Sequence, residues 1–442
     1  MKISNIRLGF ATNSSSSHSV IILPRGIKLT DDLIYESDSY GWENFTLSST
    51  HEKVKYFVSQ LKTAISAFFD DELIVDTVLR ELFGIDTCKT RPVDHQSAWA
   101  FPKTFDGRLH SQFVSDFFAF VKRDDVVILG GNDNSDGHPD KGMGKELLTP
   151  DYGCIARKDG DWWTLFNRAH GAKMRISFLP ALEPYRKSTV PENVEVNITN
   201  RCGKGCAFCY QSSTPRGRMA SYKNLISIAN LLQRLEVFEV TLGGGEPLLY
   251  KDGDKTILDV MKLFRNRGIV PNTTTASPHL LPPAQELAGV VGNIGVTIRC
   301  VTDLAAVLST CRIAQIPLGT ITRDEFRMIT TNLAKGYSSI LLLGYKNTGR
   351  GKSYTPIPYD WWLEEIGKLS YGSRISVDTV LAAEYKDAIL KLCPDILFST
   401  EEGKFSCYID AVEMRMGPSS FCDKSLLVSF DQSTFLQEYS RF

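Results

Sequence analysis

Three cysteines lie close together near the middle of the chain, whereas the other seven are scattered. Cys202, Cys206 and Cys209 have the spacing Cys-x3-Cys-x2-Cys, with two glycines between the first two of them. Thiolates are soft ligands that suit zinc or an iron–sulfur cluster. A structural zinc site closes with four ligands, and no second cysteine pair follows at zinc-ribbon distance. The three thiols therefore favour an iron–sulfur cubane that keeps one iron open, with zinc as the alternative.

A run of glycines follows about one strand and one helix later in the sequence. Residues 241–247 read Thr-Leu-Gly-Gly-Gly-Glu-Pro, and Gly243, Gly244 and Gly245 allow backbone to approach a ligand closely. Glu246 adds a carboxylate that can meet an ammonium group. By itself such a run is typical of a strand-to-helix turn. Its position one βα unit after the cysteines favours ligand binding instead.

The elements that must position these residues are predicted from an alternation that begins at residue 193. Apolar runs predict strands at 194–199, 236–242, 269–275, 293–299, 316–321 and 338–344. Amphipathic stretches predict helices at about 221–234, 255–267, 283–290, 302–314 and 324–335. Alternating strands and helices indicate a parallel sheet with right-handed crossovers, curled into an incomplete relative of the eightfold barrel. Ligands of such sheets bind at the carboxyl ends of the strands, where both motifs lie.

Together, the cysteine loop and the Gly-Gly-Gly-Glu-Pro motif resemble the radical S-adenosylmethionine (SAM) superfamily. Phe208, the aromatic residue before the last cysteine, belongs to this resemblance, which covers roughly residues 190–430. It implies an α/β fold with a partial (β/α)6 TIM-like barrel. It also implies a [4Fe-4S] cluster whose fourth iron is chelated by the amino and carboxylate groups of SAM. The glycine–glutamate motif would hold the methionine amino group, and the backbone around Phe208 and Tyr210 would face the adenine.

Other positions of the resemblance match less closely. The third strand ends in Thr-Thr-Ala-Ser at Ser277, where the family has a Thr-Asn-Gly-like turn, and the fourth offers Thr297 and Arg299 as a hydroxyl and its polar partner. The sixth strand, with Gly-Arg-Gly at 349–351 after it, resembles the segment that flanks adenine. Barrel packing and turn formation are the alternative for each position. Cys300, just beyond the fourth strand, is a candidate hydrogen-atom donor or simply a buried thiol.

The resemblance implies an enzyme that cleaves SAM reductively and forms a 5′-deoxyadenosyl radical, which then abstracts hydrogen from a substrate. We expect a peptide or protein substrate, because the N-terminal segment is large and the chain is not basic. An electron donor such as flavodoxin or ferredoxin is the expected partner. A tRNA- or nucleotide-modifying enzyme is one alternative. A non-catalytic protein that keeps the cluster for binding or scaffolding is the other.

Composition limits the class of protein further. The chain has 442 residues, 43% of them hydrophobic and 23% charged, and its net charge is 50 − 51 = −1. This balance gives no general electrostatic reason to expect nucleic acid or an anionic membrane as the main partner, although a local patch would escape the count. No run reaches the ~18 uncharged apolar residues of a membrane span, and no secretion signal is recognised. We therefore expect a cytoplasmic protein.

The chain divides at a proline-rich stretch near residue 187. We expect an α+β accessory domain over 1–187, the barrel over 188–430 and a C-terminal tail over 431–442. Within the first segment the patterns predict helices from Ser49, over about 71–83 and over about 110–122, strands at 3–10, 19–23 and 126–129, and a hairpin at 161–179.

Two further features stay open. Residues 9–19, Gly-Phe-Ala-Thr-Asn-Ser-Ser-Ser-Ser-His-Ser, resemble an N-terminal signature of many bacterial and phage proteins, some of them radical SAM proteins. The segment is a flexible polar loop, or it folds over the barrel mouth or is itself modified. Cys393, Cys407 and Cys422 lie where some peptide-modifying family members carry a second cluster. Core thiols are the favoured interpretation, because their spacing lacks a full ligand set.

Overall fold

The computed structural model divides the chain into two compact units, Met1–Tyr185 and Arg186–Phe442. The structure describes residues 6–7, 16–22, 40, 45–66, 79–80, 93, 101–132, 154–169, 171, 173–177, 187–304, 313–334, 339–369, 375–392 and 400–442. Most of the helix predicted at 71–83, residues 9–15 of the N-terminal signature, and Cys88, Cys311 and Cys393 lie outside these residues.

Two small antiparallel sheets and two helices form the described part of the first unit, an α+β arrangement as predicted. Its elements are β1 (Ile6–Arg7), β2 (Ser16–Ile22), β3 (Phe45–Leu47), α1 (Thr50–Ser66), α2 (Ser111–Val121), β4 (Val126–Asn132), β5 (Cys154–Asp159), β6 (Trp162–Asn167) and β7 (Lys173–Ile176). The strands are ordered β1-β2-β4-β3 and β5-β6-β7. Helix α1 begins as its sequence predicts, because the Glu52 backbone N–H donates to Ser49 Oγ at 3.3 Å.

Strands and helices alternate through most of the second unit. Its elements are β8 (Asn193–Thr199), α3 (Tyr222–Arg234), β9 (Glu239–Gly244), β10 (Lys251–Asp252), β11 (Lys255–Thr256), α4 (Ile257–Arg265), β12 (Val270–Thr275), α5 (Ala284–Leu287), β13 (Ile294–Thr297), β14 (Ile313–Pro317), α6 (Arg323–Ala334), β15 (Ser339–Leu343), α7 (Trp362–Ile366), β16 (Ile375–Val377), α8 (Thr379–Glu384), α9 (Lys386–Leu392), β17 (Ser406–Asp410), β18 (Arg415–Gly417), β19 (Val428–Ser429) and α10 (Phe435–Arg441).

Ten of these strands form one sheet in the order β16-β15-β14-β13-β12-β9-β8-β17-β18-β19. The strands from β16 to β17 run parallel, whereas β18 and β19 are antiparallel to their neighbours. Each of the six predicted strands has a counterpart, and the predicted α/β class with a partial barrel is confirmed. The bounds of the fifth were wrong: β14 covers Ile313–Pro317 instead of 316–321, and so begins within the helix predicted at 302–314. The sequence analysis missed β16 and β17, which flank those six strands. Among the described strands no pairing joins β16 to β17, so the barrel is left open between them.

The two faces of this sheet differ in polarity. On β8, Val194, Val196 and Ile198 are buried, whereas the intervening Glu195 keeps partial exposure. Polar side chains of the second face form hydrogen bonds between strands. Thr241 Oγ1 donates to Asn193 Oδ1 at 3.3 Å, and Asn272 Nδ2 on β12 donates to Glu239 Oε2 on β9 at 2.9 Å. The sheet therefore offers a polar face that suits a polar ligand.

The last residues pack onto the second unit as helix α10. Phe435 and Tyr439 are buried, and the Tyr439 hydroxyl lies 2.8 Å from Ser188 Oγ. This contact joins the two ends of the second unit. In the part of the chain that the structure describes, no helix combines the length and the apolar character needed to cross a membrane.

Candidate functional site

The cysteine loop directly follows β8. Cys202, Cys206 and Cys209 are free thiols that are each partly buried. The Cys202 backbone N–H donates to Thr214 O at 2.9 Å, and the Cys209 N–H donates to Cys206 O at 3.2 Å. The loop is therefore folded back on itself at the carboxyl end of its strand, with all three thiols at the predicted position.

Hydrogen bonds join the glycine motif to the cysteine loop. At the end of β9, the Gly245 N–H donates to Thr199 O at 2.6 Å and the Glu246 N–H donates to Arg201 O at 2.8 Å. Any side chain at Gly245 would overlap the backbone of Arg201, so this close approach requires glycine. The two motifs that are about 40 residues apart in the sequence thus meet at one edge of the sheet.

Glu246 connects the glycine motif to the next strand. Its side chain is only 3% exposed, and its carboxylate accepts from Thr275 Oγ1 at 2.7 Å and from the Ala276 N–H at 3.2 Å. The Ser277 N–H in turn donates to Thr275 Oγ1 at 2.8 Å. The predicted residue Ser277 therefore reaches the site through Thr275, a residue that the sequence analysis did not single out.

Arg299 reaches the cysteine loop from the end of β13. Its Nη1 donates to Cys206 Sγ at 3.3 Å, and its backbone N–H donates to Asp303 Oδ2 at 2.9 Å. Thr297, the last residue of β13, is half-buried on the polar face. Cys300 Sγ lies 3.0 Å from Thr302 Oγ1, and no described contact joins Cys300 to the three clustered thiols. Its role as a hydrogen donor stays a prediction.

The two aromatic residues of the cysteine loop contact different segments. The Phe208 ring packs edge-on against Tyr354, with centroids 5.7 Å apart. The Tyr210 hydroxyl lies 3.4 Å from Ser420 Oγ, and Lys346 Nζ lies 5.7 Å from the centre of the Tyr210 ring. These contacts bring the segments after β15 and β18 to the loop.

A buried charged network that the sequence analysis missed lies beside Tyr210. Lys346 Nζ pairs with Asp378 Oδ2 at 2.6 Å, and both side chains are less than 20% exposed. Burial raises the pKa of Glu195 on β8, and the charge of Asp378 raises it as well, although the Ser420 hydrogen bond and Lys346 oppose these effects. Glu195 stands out in the sequence as a glutamate within an apolar strand, but only the fold shows that Lys346 lies close to it.

Negative groups converge at the cysteine loop itself. Burial raises the pKa of the Cys202 thiol, and this is the largest effect on it. The charges of Glu246, Cys209 and Cys206 raise this pKa further, whereas a hydrogen bond from the Lys204 backbone lowers it. Thiolates are the form that binds metal. Cationic groups such as Arg299 or bound iron are therefore needed to hold several thiolates together here.

These residues fit an iron–sulfur cluster. Three free thiols share one loop, and the adjacent Arg299 Nε is buried without a hydrogen bond among the described residues. Within that part of the chain, and apart from its two chain neighbours, no atom lies within 4 Å of a Cβ atom placed at Gly243. Within the described residues no three His, Cys, Asp or Glu side chains converge on one metal-ion position. A cubane binds each cysteine through a different iron, so its ligands need not converge in that way.

Comparison with known proteins identifies the family to which this part of the chain is similar. Residues 196–301 match the radical SAM superfamily, so the chain contains a radical SAM domain that begins within β8 and ends shortly after β13. The predicted superfamily, which uses a [4Fe-4S] cluster and SAM, is thereby confirmed for this segment. The N-terminal signature and a bacterial or phage origin are not part of this match.

Individual relatives match over short segments. The chain is 30% identical over 112 residues to the sporulation killing factor maturation protein SkfB of Bacillus subtilis, covering 25% of this chain and 26% of that protein. It is 28% identical over 93 residues to the mitochondrial GTP 3′,8-cyclase of Arabidopsis thaliana, covering 20% and 24%. The chain thus spans about a quarter of the length of these curated relatives. Among solved structures, Streptococcus suis SuiB bound to SAM aligns over 64% of this chain and 87% of its own at 11% identity and a TM-score of 0.47.

Proposed function

We propose that the protein is a radical SAM enzyme that modifies a peptide or protein substrate. Cys202, Cys206 and Cys209 are the proposed cluster ligands, and residues 243–246 form the proposed site for the methionine part of SAM. The proposal depends on one observation: the Gly245 and Glu246 N–H groups bond to Thr199 and Arg201, which brings the glycine motif against the cysteine loop.

The chain's own residues have distinct roles in this proposal. When bound, the cluster supplies the electron that breaks the C5′–S bond of SAM. Gly243 leaves open space for a ligand beside the backbone, and the Glu246 carboxylate places negative charge where an ammonium group would be favoured. Arg299 donates to Cys206 Sγ, so it places a positive charge beside that proposed ligand. Phe208, Tyr210, Ser277 and Thr297 are further proposed SAM contacts.

A peptide or protein substrate is supported by two features. The sheet carries a polar face with Asn193, Glu195 and Thr241, and among the described strands it is left open between β16 and β17, which leaves room for an extended substrate in the proposed site. The local match to a maturation protein favours a peptide or protein substrate. The near-neutral charge of the chain gives no support to an extended nucleic-acid surface.

A nucleotide substrate is the second candidate function. It is favoured by the matches of similar identity to GTP 3′,8-cyclases from Arabidopsis thaliana and Methanocella arvoryzae. In either case the proposed reductant is a small electron carrier such as flavodoxin or ferredoxin, and the reducing cytoplasm is the compartment that keeps the cluster thiols reduced. We assign the chain to a bacterial or phage source on its N-terminal signature, again as a proposal.

Anaerobic reconstitution with iron and sulfide tests the site assignment. Wild-type protein is expected to bind a brown [4Fe-4S] cluster and, after reduction with SAM, to release 5′-deoxyadenosine detectable by mass spectrometry. Cys206→Ala should lose both the colour and SAM cleavage, whereas the matched control Cys154→Ala changes a cysteine of the first unit and should keep both. Tetrahedral zinc in the wild-type protein, or full activity of Cys206→Ala, would contradict the proposal.

Substrate classes are then separated by product analysis. Candidate peptides encoded beside the gene and GTP are incubated separately with the reduced, cluster-loaded protein and SAM. A peptide whose mass changes in a SAM-dependent way supports the first candidate, and a modified nucleotide supports the second. If 5′-deoxyadenosine never forms with any substrate, a cluster-bearing scaffold explains the site better than an enzyme.

A further inference from the structure

The segment after β15 is bonded along the cysteine loop. Residues 349–353 form a 3-10 turn, and the Arg350 backbone N–H donates to Cys209 O at 3.0 Å. Just before it, Thr348 Oγ1 donates to Tyr210 O at 3.3 Å. Gly349 has a φ of +55°, and a side chain there would overlap the Tyr210 carbonyl. The turn can therefore lie directly against the loop only with glycine at this position.

The Arg350 side chain extends these contacts to Cys206 and Ser213 of the loop. Its Nε donates to Cys206 O at 3.0 Å, and its Nη1 donates to Ser213 O at 2.9 Å. Together with its backbone N–H, Arg350 thus donates to three loop carbonyls, two of which belong to cluster cysteines. The planar guanidinium presents several donors in fixed directions, which a lysine ammonium cannot reproduce.

The loop contains two glycines just before its middle cysteine. Gly203 and Gly205 precede Cys206, both are exposed, and Gly205 has a positive φ of +63°. Backbone of this kind loses much conformational entropy when it is fixed in one arrangement. A residue that fixes the loop before the cluster binds lowers that cost at the moment of binding.

We propose that Arg350 is a positioning residue that holds the backbone of Cys206 and Cys209 in the arrangement that binds the cluster. The inference rests on the proposed function, because it takes these cysteines as the cluster ligands. Arg350 contacts their carbonyls rather than their thiols, so it acts through the loop and not on the iron. Hydrogen bonds of this indirect kind tune metal affinity by about ten- to hundredfold.

The proposal predicts that Arg350→Met retains its fold but binds the cluster less stably. After anaerobic reconstitution, an iron chelator should remove iron about ten- to hundredfold faster than from wild-type protein. Arg350→Lys should give an intermediate rate of iron release, because it keeps the positive charge but loses the planar guanidinium with its several donors. The control Arg441→Met, on the surface of α10, should match the wild type. Electron paramagnetic resonance of the reduced cluster should broaden in Arg350→Met and not in the control.

The outcomes separate this inference from the proposed function. If wild-type protein binds a cluster and Arg350→Met releases iron at the wild-type rate with an unchanged spectrum, the positioning role is wrong while the function stands. If wild-type protein binds no cluster, the function itself fails. If Arg350→Met does not fold, the Arg350→Lys variant tests the proposal instead. Iron release from Arg350→Lys as slow as from the wild type overturns the proposal. Faster iron release, with an unchanged melting temperature of the cluster-free protein, supports it.

Discussion

Arg299 Nη1 donates to the Sγ atom of Cys206 at 3.3 Å, although the two residues are 93 positions apart in the sequence. The contact joins the carboxyl end of β13 to the middle cysteine of the loop after β8. The Arg299 side chain is 27% exposed, and its Nε lies 3.9 Å from Asp303 Oδ2. In a loaded site the guanidinium beside Cys206 would stabilise added negative charge.

Replacing Arg299 should therefore make the bound cluster harder to reduce. In Arg299→Met the positive charge and the bond to Cys206 Sγ are both lost, so the reduced, more negative state loses stabilisation. We expect the midpoint potential to fall by tens of millivolts in a redox titration followed by electron paramagnetic resonance. Arg234→Met, on an exposed position of α3, is the matched control and should leave the potential unchanged. An unchanged potential in Arg299→Met would show that the contact has no electronic effect.

Glu246→Gln tests whether the buried carboxylate contributes charge as well as structure. The amide keeps one oxygen for Thr275 Oγ1, but it presents an N–H group to the Ala276 N–H, which loses its acceptor. Leaving that donor unpaired should lower the free energy of unfolding by about 1–3 kcal/mol. The loss of negative charge should also weaken SAM binding to the loaded protein about tenfold in equilibrium dialysis.

The exposed Glu286→Gln on α5 is the control for both measurements. If Glu246→Gln lowers stability but leaves SAM binding intact, Glu246 only fixes the end of β12.

Gly245→Ala should disrupt the junction of the two motifs. The added methyl group would overlap the Arg201 backbone, so the bond from Gly245 to Thr199 must lengthen or the cysteine loop must shift. We expect a loss of about 1–3 kcal/mol in the free energy of unfolding by denaturant, together with reduced iron content after reconstitution. Gly367→Ala, where a side chain meets only ordinary contacts at 3.6 Å, should behave as the wild type. Wild-type iron content in Gly245→Ala would mean that the cysteine loop does not depend on this approach.

Periodicity and motif spacing were sufficient to predict the six central strands and the edge of the sheet at which the site lies. Parallel strands place their carboxyl ends on one edge, so Cys202 and Glu246 were expected to be neighbours before any distance was known. By contrast, β16 is three residues long and β17 lies far beyond the alternating pattern, so neither stands out from its surroundings in the sequence.

Side-chain partners were the part of the site that the sequence could not predict. Arg350 lies in a segment that the resemblance places near adenine, but its bonds to Cys206 O and Ser213 O depend on how two loops from different strands meet. Thr275 is in the same situation, because its bond to Glu246 needs the register of β9 against β12. Such contacts carry no local pattern, since their partners are tens of residues away.

Removing Lys346 should destabilise the second unit. Its ammonium pairs with Asp378 at 2.6 Å with side-chain exposures of 14% and 16%, so Lys346→Met leaves a mostly buried carboxylate without its partner. Breaking a buried pair from one side typically costs about 3–5 kcal/mol, measured here as the free energy of unfolding by urea. Lys368→Met, an exposed lysine, is the control. If Lys346→Met and the control lose the same free energy of unfolding, water must reach Asp378 and replace the lysine as its partner.

Glu195 should make the stability of the second unit depend on pH. Burial raises its pKa above the ordinary value of 4.5, so the folded state holds this proton more tightly than the unfolded state does. The resulting stabilisation is complete below about pH 4.5 and is lost as the pH rises through the higher pKa of the folded state. We therefore expect the wild-type free energy of unfolding, relative to that of Glu195→Gln, to decrease from acidic to neutral pH in urea titrations. A difference between the two proteins that stays constant over this range, as expected for the exposed control Glu286→Gln, would mean that Glu195 titrates in the folded protein as it does in water.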